Sequence, residues 1–288
     1  MCSERIASHC VCCGDTDLKT SPAVLMPFVA KRVFGHEPVM ITSDWGIRDL
    51  QLGMAYSICN SMQCGNCGAL FMDLRFSDVE MAKLYEGYRD EEYTCLRDFY
   101  EPGYRATNEF YSGRSSYIST IEAFLSPRVP ATPVLLDWGG DNGINTPLKD
   151  SAFTVHIYDI SNKPALSGAL AVDMSIVRST NYDLIVCSQV LEHVPFPKAL
   201  LGEIVSVMSR ETQLYLEVPY EALMRAHAGS KEIYKAKRHW HEHINFFSEE
   251  SLLTMLEQTG LQLVEIRAIP LSLGWRDSCV MSILCRRA

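Results

Sequence analysis

Three groups of residues in this chain combine types and spacings that can do chemistry. The first is Val134-Leu135-Leu136-Asp137-Trp138-Gly139-Gly140-Asp141-Asn142-Gly143, an apolar run that enters a glycine-rich turn. Glycine tolerates φ > 0 and carries no Cβ, so such a turn lets the backbone come close to a ligand. A second apolar run, Thr154-Val155-His156-Ile157-Tyr158, ends in Asp159, a carboxylate placed to accept hydrogen bonds from both hydroxyls of a ribose. Together they point to a nucleoside cofactor. The second group is cysteine-rich: Cys10-Val11-Cys12-Cys13-Gly14 and Cys64-Gly65-Asn66-Cys67-Gly68 each contain C-x-x-C-G. The third, Arg238-His239-Trp240-His241-Glu242-His243, crowds three histidines and a glutamate into a few residues.

Each group narrows further on its own chemistry. A dinucleotide turn reads G-x-G-x-x-G and aims a helix start at a pyrophosphate. Here the glycines read G-G-x-x-G, flanked by Asp137 and Asp141. Carboxylates repel phosphates but suit the cationic aminopropyl and sulfonium end of S-adenosylmethionine. In the second group, Cys10, Cys13, Cys64 and Cys67 would give one Zn²⁺ a closed tetrahedral thiolate set, a structural site without an open position. Cys12 is a rival to Cys10 or Cys13. The pairs stand further apart than the ~15–20 residues of a compact ribbon, so the insert from Pro22 to Ser61 must carry structure, with short strands expected at Val39–Ile41 and Ala55–Ile58. The remaining cysteines have no partner at ligand spacing and read as packing residues. In the third group, a histidine titrating near neutrality suits a general base. His243 is the first candidate, Glu242 its partner or alternate, and His241 the second choice. Two other roles stay open: in a strand, His239, His241 and His243 would share a face and cap a sheet, and the alternation could bind a metal.

The elements that must position these groups can be read along the chain. Residues 1–76 form the cysteine-bearing module. A helical segment, 77–130, opens at Ser77 with Glu80 three residues on, an N-cap with its returning acid. Met81, Leu84, Tyr85 and Tyr88 continue at helical spacing, and a second helix is expected over Thr107–Leu125. Ser126–Pro133, with three prolines, reads as a hinge. From there to residue 288 strands and helices alternate. Strands are expected near 134–137, 154–159, 183–187, 213–218, 261–267 and 278–285, the last antiparallel, with helices near 196–208 and 248–259.

The order from Leu135 to Gly143, followed by a strand ending in Asp159, is similar to motif I and its sequel in class I methyltransferases. Tyr182-Asp183-Leu184-Ile185-Val186-Cys187-Ser188-Gln189-Val190-Leu191-Glu192-His193-Val194-Pro195 resembles that family's fourth strand and following helix start. The resemblance implies an α/β, Rossmann-like class I methyltransferase sheet with helices on both faces, preceded by a small zinc-binding module and a helical segment. It also implies S-adenosylmethionine contacts from Asp137, Gly139, Gly140, Gly143, Asp159, Asp173, Met174, Gln189 and His193, with Asp173 at the adenine-binding acid. The segment His241–Ser248, H-E-H-x-x-F-F-S, is similar to one in deoxysugar C-methyltransferases, which also carry an N-terminal zinc module. That likeness implies a proton-abstracting Glu242–His243 pair and a nucleotide-sugar held by Tyr85 and Tyr88. Two departures, the missing C-terminal domain of those enzymes and Trp240 in place of their tyrosine, leave carbon, oxygen and nitrogen open as the methylated atom.

Composition sets the outer bounds. Hydrophobic content of 47% is ample for a core, and the net charge of −9 lacks the basic footprint of a nucleic-acid binder. The chain shows no apolar run of about 18 residues and no charged-then-apolar leader, so a cytoplasmic protein without membrane contact is expected. The expected partner is a small, sugar-like acceptor; oligomeric state is not legible. Two other functions compete: a protein or RNA methyltransferase that docks through the zinc module, and a non-catalytic zinc- and nucleoside-binding scaffold.

Overall fold

The computed structural model describes residues 4–46, 51–110, 113–161, 163–272 and 277–288. The N-terminal module contains β1 (Leu18–Leu25), α1 (Pro27–Phe34), β2 (Val39–Ile41), β3 (Gly53–Ala55), β4 (Ile58–Cys64) and β5 (Leu70–Met72). Pro27 starts α1, where its missing N–H costs nothing, and Gly35 at φ +68 ends it by donating back to Lys31. Phe28, Val29, Ala30 and Val33 are the buried face of this helix. β2 and β3 make a separate ribbon near the expected strands, but β3 ends at Ala55 and Ile58 opens β4, which pairs antiparallel with β1.

Four helices follow: α2 (Asp78–Tyr85), α3 (Glu91–Tyr100), α4 (Tyr104–Phe110) and α5 (Ile118–Leu125). Ser77 and Glu80 form the reciprocal cap expected at the start of α2. The single helix expected over Thr107–Leu125 is two helices. Gly113 and the serines after it, poor helix formers, lie between them.

The remaining elements are β6 (Val134–Trp138), β7 (Thr154–Tyr158), β8 (Leu170–Ala171), α6 (Met174–Ser179), β9 (Leu184–Ser188), α7 (Pro197–Val207), β10 (Gln213–Pro219), α8 (Ala222–Ala226), β11 (His239–Trp240), β12 (Asn245–Phe246), α9 (Glu249–Gln258), β13 (Leu261–Ser272) and β14 (Asp277–Arg287). Seven of these strands form one sheet in the order β13-β14-β10-β9-β6-β7-β8, with β14 antiparallel to both neighbours. Alternation along the strands explains the layers. Leu135, Val155, Leu184, Val186 and Tyr215 pack with Ile121, Phe124 and Leu125 of α5 on one face. Leu136, Ile185, Cys187, Leu214 and Leu216 pack with α7 and α9 on the other. Both faces are covered, which is why the central strands read as continuous apolar runs.

A second sheet has the order β11-β1-β4-β5-β12. Its two edges come from the histidine-rich segment. β11 lies parallel to β1, pairing Trp240 with Leu25, and β12 lies antiparallel to β5, pairing Phe246 with Leu70. Residues 241–244 cross between them, so His239, His241 and His243 do not share one strand face. Trp240 is fully buried and donates its indole N–H to Ser61 Oγ at 2.8 Å.

Candidate active site

The carboxyl ends of β6, β7, β9 and β10 open into one cleft of about 1040 Å³. At the end of β6, Asp137 is buried and accepts a 2.5 Å hydrogen bond from Thr146 Oγ1. Burial lifts its carboxyl to about 7; the Thr146 bond opposes the rise, and Asp159 and Glu217 add to it. Gly139 holds φ +82, and a Cβ there would sit 2.4 Å from Val190 Cγ2. A Cβ on Gly140 would meet the Asp137 carboxyl at 2.5 Å. Asp159 Oδ2 accepts from the Asp141 amide at 2.9 Å and Oδ1 from the Ser161 amide at 2.7 Å. This ties the second acid to the glycine turn and leaves each oxygen a further lone pair.

Asp137, Gly139, Gly140, Asp159, Gln189 and His193 line this cleft, together with Tyr85, Tyr88, His241, Glu242 and His243. Gly143 does not. It is buried beneath the turn, where a Cβ would lie 3.1 Å from Ile157 Cδ1. Asp173 lines an adjoining hollow of about 310 Å³, which shares Asp141 and Asp159 with the main cleft. Its Oδ1 also caps α6 through the amides of Ser175 and Ile176. Met174 lines neither cavity and packs against the sheet core. Gln189 stands at φ +57 and donates to Glu217 Oε1 at 3.0 Å; Tyr117 and Tyr215 also donate to this buried carboxylate.

At the opposite end of the cleft, the crossing from β11 to β12 meets α2 and α3. His243 Nδ1 lies 2.8 Å from Glu221 Oε1. Burial disfavours a charge on this imidazole, but the Glu221 hydrogen bond and the nearby Glu192 and Glu242 outweigh it and raise its pKa. Glu242 is paired with Arg97 at 2.9 Å. Burial pushes its carboxyl up, yet Arg97 and the surrounding imidazoles win and hold it at about 2, too acidic to accept a proton readily. His241 is held by Glu101 at 2.6 Å. His193 Nδ1 is 2.8 Å from the Tyr85 hydroxyl and 3.1 Å from the Glu242 carbonyl, and burial, with His243 beside it, drops its pKa to about 3. Tyr88 packs edge-on against both Tyr85 and Tyr93. Sequence reading missed Glu221, Arg97 and Glu217. Only Arg97 carried a local signal, as a cation four residues from Tyr93 on the buried face of α3.

The cysteines come together away from the cleft. The sulfurs of Cys10, Cys13, Cys64 and Cys67 all lie within 4.8 Å of one another, with Cys10–Cys67 at 3.5 Å and Cys13–Cys64 at 3.6 Å. Four thiolates about 2.3 Å from one Zn²⁺ have nearly this separation, so the group fits a tetrahedral ion. Cys12 is fully buried outside the set. In both loops the glycine after the second cysteine has positive φ and donates back to the first, Gly14 to Cys10 and Gly68 to Cys64. Cys59, Cys187, Cys279 and Cys285 are buried as expected of packing residues, whereas Cys95 is exposed and Cys2 lies outside the described residues.

Residues 110–266, more than half of the chain, match the family model described as "Methyltransferase domain". The chain belongs to this family, and it is a methyltransferase with the Rossmann-like α/β fold. Among solved structures it is similar to the 1,6-didemethyltoxoflavin-N1-methyltransferase of Burkholderia thailandensis, at 14% identity and a TM-score of 0.48 over 68% of this chain and 89% of that one. It is also similar to the magnesium protoporphyrin IX methyltransferase of Synechocystis PCC 6803, at 17% identity and a TM-score of 0.41 over 68% and 99%. No curated protein sequence matches it. Among the described residues no helix is long and apolar enough to cross a membrane.

Proposed function

We propose that the chain transfers a methyl group from S-adenosylmethionine to a small, polar, sugar-like acceptor, with His243 taking the acceptor's proton. The observation that carries this reading is the continuity of one cleft from Gly139, Gly140 and Asp159 to His193, His241 and His243. The donor set fits the cofactor. Asp159 offers two oxygens to a ribose, the adjoining hollow with Asp173 receives the base, and Asp137 and Asp141 meet the cationic end. When bound, the cofactor supplies an electrophilic methyl on sulfonium. The protein's part is to align the acceptor and remove its proton.

Of the three candidate bases, the environments favour His243. Glu221 fixes its ring through Nδ1, which leaves Nε2 for a substrate proton, in the manner of a carboxylate-oriented imidazole. Glu242 and His241 are engaged by Arg97 and Glu101 and act as positioning residues. Tyr85 and Tyr88 form the wall facing this group and suit a hydroxyl-rich acceptor. The cysteine group is assigned a structural Zn²⁺ with no part in the reaction.

The test is calorimetric titration of S-adenosylmethionine and S-adenosylhomocysteine into the wild type and Asp159→Ala. Losing two charge-assisted ribose bonds, each worth about 1.5–3 kcal/mol, should weaken binding at least ~100-fold. Equal affinity in both proteins would remove Asp159 from the site, and no binding to the wild type would overturn the cofactor assignment.

A further inference from the structure

We propose that Glu192, His193 and His243 form a binding site for one divalent transition-metal ion at the acceptor end of the cleft. Glu192 and His193 come from the loop between β9 and α7, and His243 from the crossing between β11 and β12. One ligand atom from each lies within 4.8 Å of the others, with His193 Nε2 3.7 Å from Glu192 Oε1. Two imidazoles and one carboxylate are a donor set suited to Fe²⁺, Co²⁺, Ni²⁺ or Zn²⁺, and not the all-oxygen set that Mg²⁺ or Ca²⁺ prefers.

Two observations point to a cation beyond the clustering. Glu192 is 1% exposed, and neither of its carboxylate oxygens has a hydrogen-bond partner among the described residues. A buried carboxyl with nothing to bond is costly, and a metal ion is a partner that would satisfy it. The histidines are also oriented as ligands. His243 Nδ1 faces the Glu221 carboxylate, and His193 Nδ1 faces the Glu242 carbonyl. The carboxylate and the carbonyl can only accept, and the Tyr85 hydroxyl, 2.8 Å from His193 Nδ1, can accept as well as donate, so an Nδ1-protonated tautomer satisfies both rings and keeps each Nε2 lone pair for a metal. This is the outer-shell pattern that fixes metal-binding imidazoles. Both rings line the cleft, so coordination positions not taken by the protein face the acceptor space.

The site goes beyond the proposed base reading and competes with it for one atom. A cation on His243 Nε2 uses the lone pair that would take the acceptor's proton, so the metal-loaded and free-imidazole states exclude each other. Metal uptake can therefore be measured without reference to methyl transfer. Co²⁺ is titrated into the full-length wild type, Glu192→Gln and His193→Gln, followed by visible absorption and by metal analysis after dialysis. Circular dichroism and thermal unfolding verify that each variant is folded.

The wild type should take up about one equivalent in a component with d–d bands and no thiolate charge transfer, distinct from cobalt in the cysteine set. Each folded variant should lose that component and keep any thiolate-type binding. Wild-type protein that shows only thiolate-type cobalt would overturn the proposal, and so would folded variants that match the wild type in uptake and spectrum. Should either variant unfold, His243→Gln takes its place and the wild-type spectrum still decides. Activity of His243→Ala is a separate readout: its persistence would remove the base but leave the cobalt result standing.

Discussion

Asp137 is the penultimate residue of β6 in the large sheet, and its burial gives the protein a stability that should depend on pH in a distinctive direction. The folded carboxyl holds its proton up to about pH 7, against an ordinary value of 3.8. Between those limits the native state binds more protons than the unfolded chain, so stability is greatest at low pH within the window and falls as pH rises from about 4 to about 7. At about 1.4 kcal/mol per pH unit, the total contribution is at most about 4 kcal/mol. Asp137→Asn removes the ionisation and retains a carbonyl oxygen for Thr146 Oγ1. Urea unfolding of both proteins between pH 5 and 8 isolates this one group, since every other titrating side chain is common to them. The variant should gain about 2–3 kcal/mol on the wild type over that range. Two curves that run parallel would refute the burial argument. A cationic cofactor adds a second signature, because it favours the ionised carboxylate: its affinity should rise with pH toward about 7 in the wild type and stay flat in the variant.

The other predictions concern separate parts of the molecule. Gly139→Ala should cost about 1–2 kcal/mol for the left-handed backbone and about 1–3 kcal/mol for the overlap with Val190. Adding Val190→Ala should recover the second share in urea unfolding, and strict additivity of the two substitutions would exclude the contact. His243→Ala should lower kcat by about 10²–10⁴ while calorimetry finds cofactor affinity within about threefold of the wild type; an unchanged kcat would dismiss it as the base. Protein purified without added metal should hold about one zinc in the cysteine set, and Cys64→Ser should lose it and lower Tm by at least ~5 °C. A metal-free wild type, or a variant with unaltered Tm, would dismiss the structural ion.

What could be read from the sequence follows from how local each signal is. The strands at 134–138, 154–158, 184–188 and 213–219 were legible because burial on both faces makes each a continuous apolar run. β8 was not: it is two residues long, and both are exposed. β1 carries Pro22 in its middle, which argues against a strand until Asn60 of β4 is seen opposite it. The glycine turn, Asp159 and the paired cysteines were legible because their spacing is itself the signal. Glu221 was not, since its relation to His243 exists only once the end of β10 and the β11–β12 crossing meet in space. Glu192 was visible within its motif without a role, because an unpartnered carboxylate is a fact about burial. Gly143 and Met174 show the converse limit: a motif names the residues that build a turn as well as those that face its ligand.

The segment that carries the candidate base belongs to two structures at once. Its ends, β11 and β12, are edge strands of the N-terminal sheet, while the residues between them face the cleft of the large sheet. Asn245 joins the two: its amide donates to the carbonyls of Leu191 and Val194, and its oxygen accepts from the buried Arg75 guanidinium. Ser248 Oγ donates to the Cys67 carbonyl and Gln258 to that of Cys13, which seats both ends of α9 on the cysteine loops. Positions His241–His243 are therefore spanned between strands, and a strand-supported crossing holds a side chain more tightly than a free loop of equal length would. Tight placement matters here because methyl transfer depends on in-line alignment, where a misplacement of about 1 Å can cost 10²-fold. On the proposed assignment the cysteine module would serve the reaction without touching the reactants: by fixing β1, β4 and β5 it fixes the frame across which the segment with the proposed base is stretched.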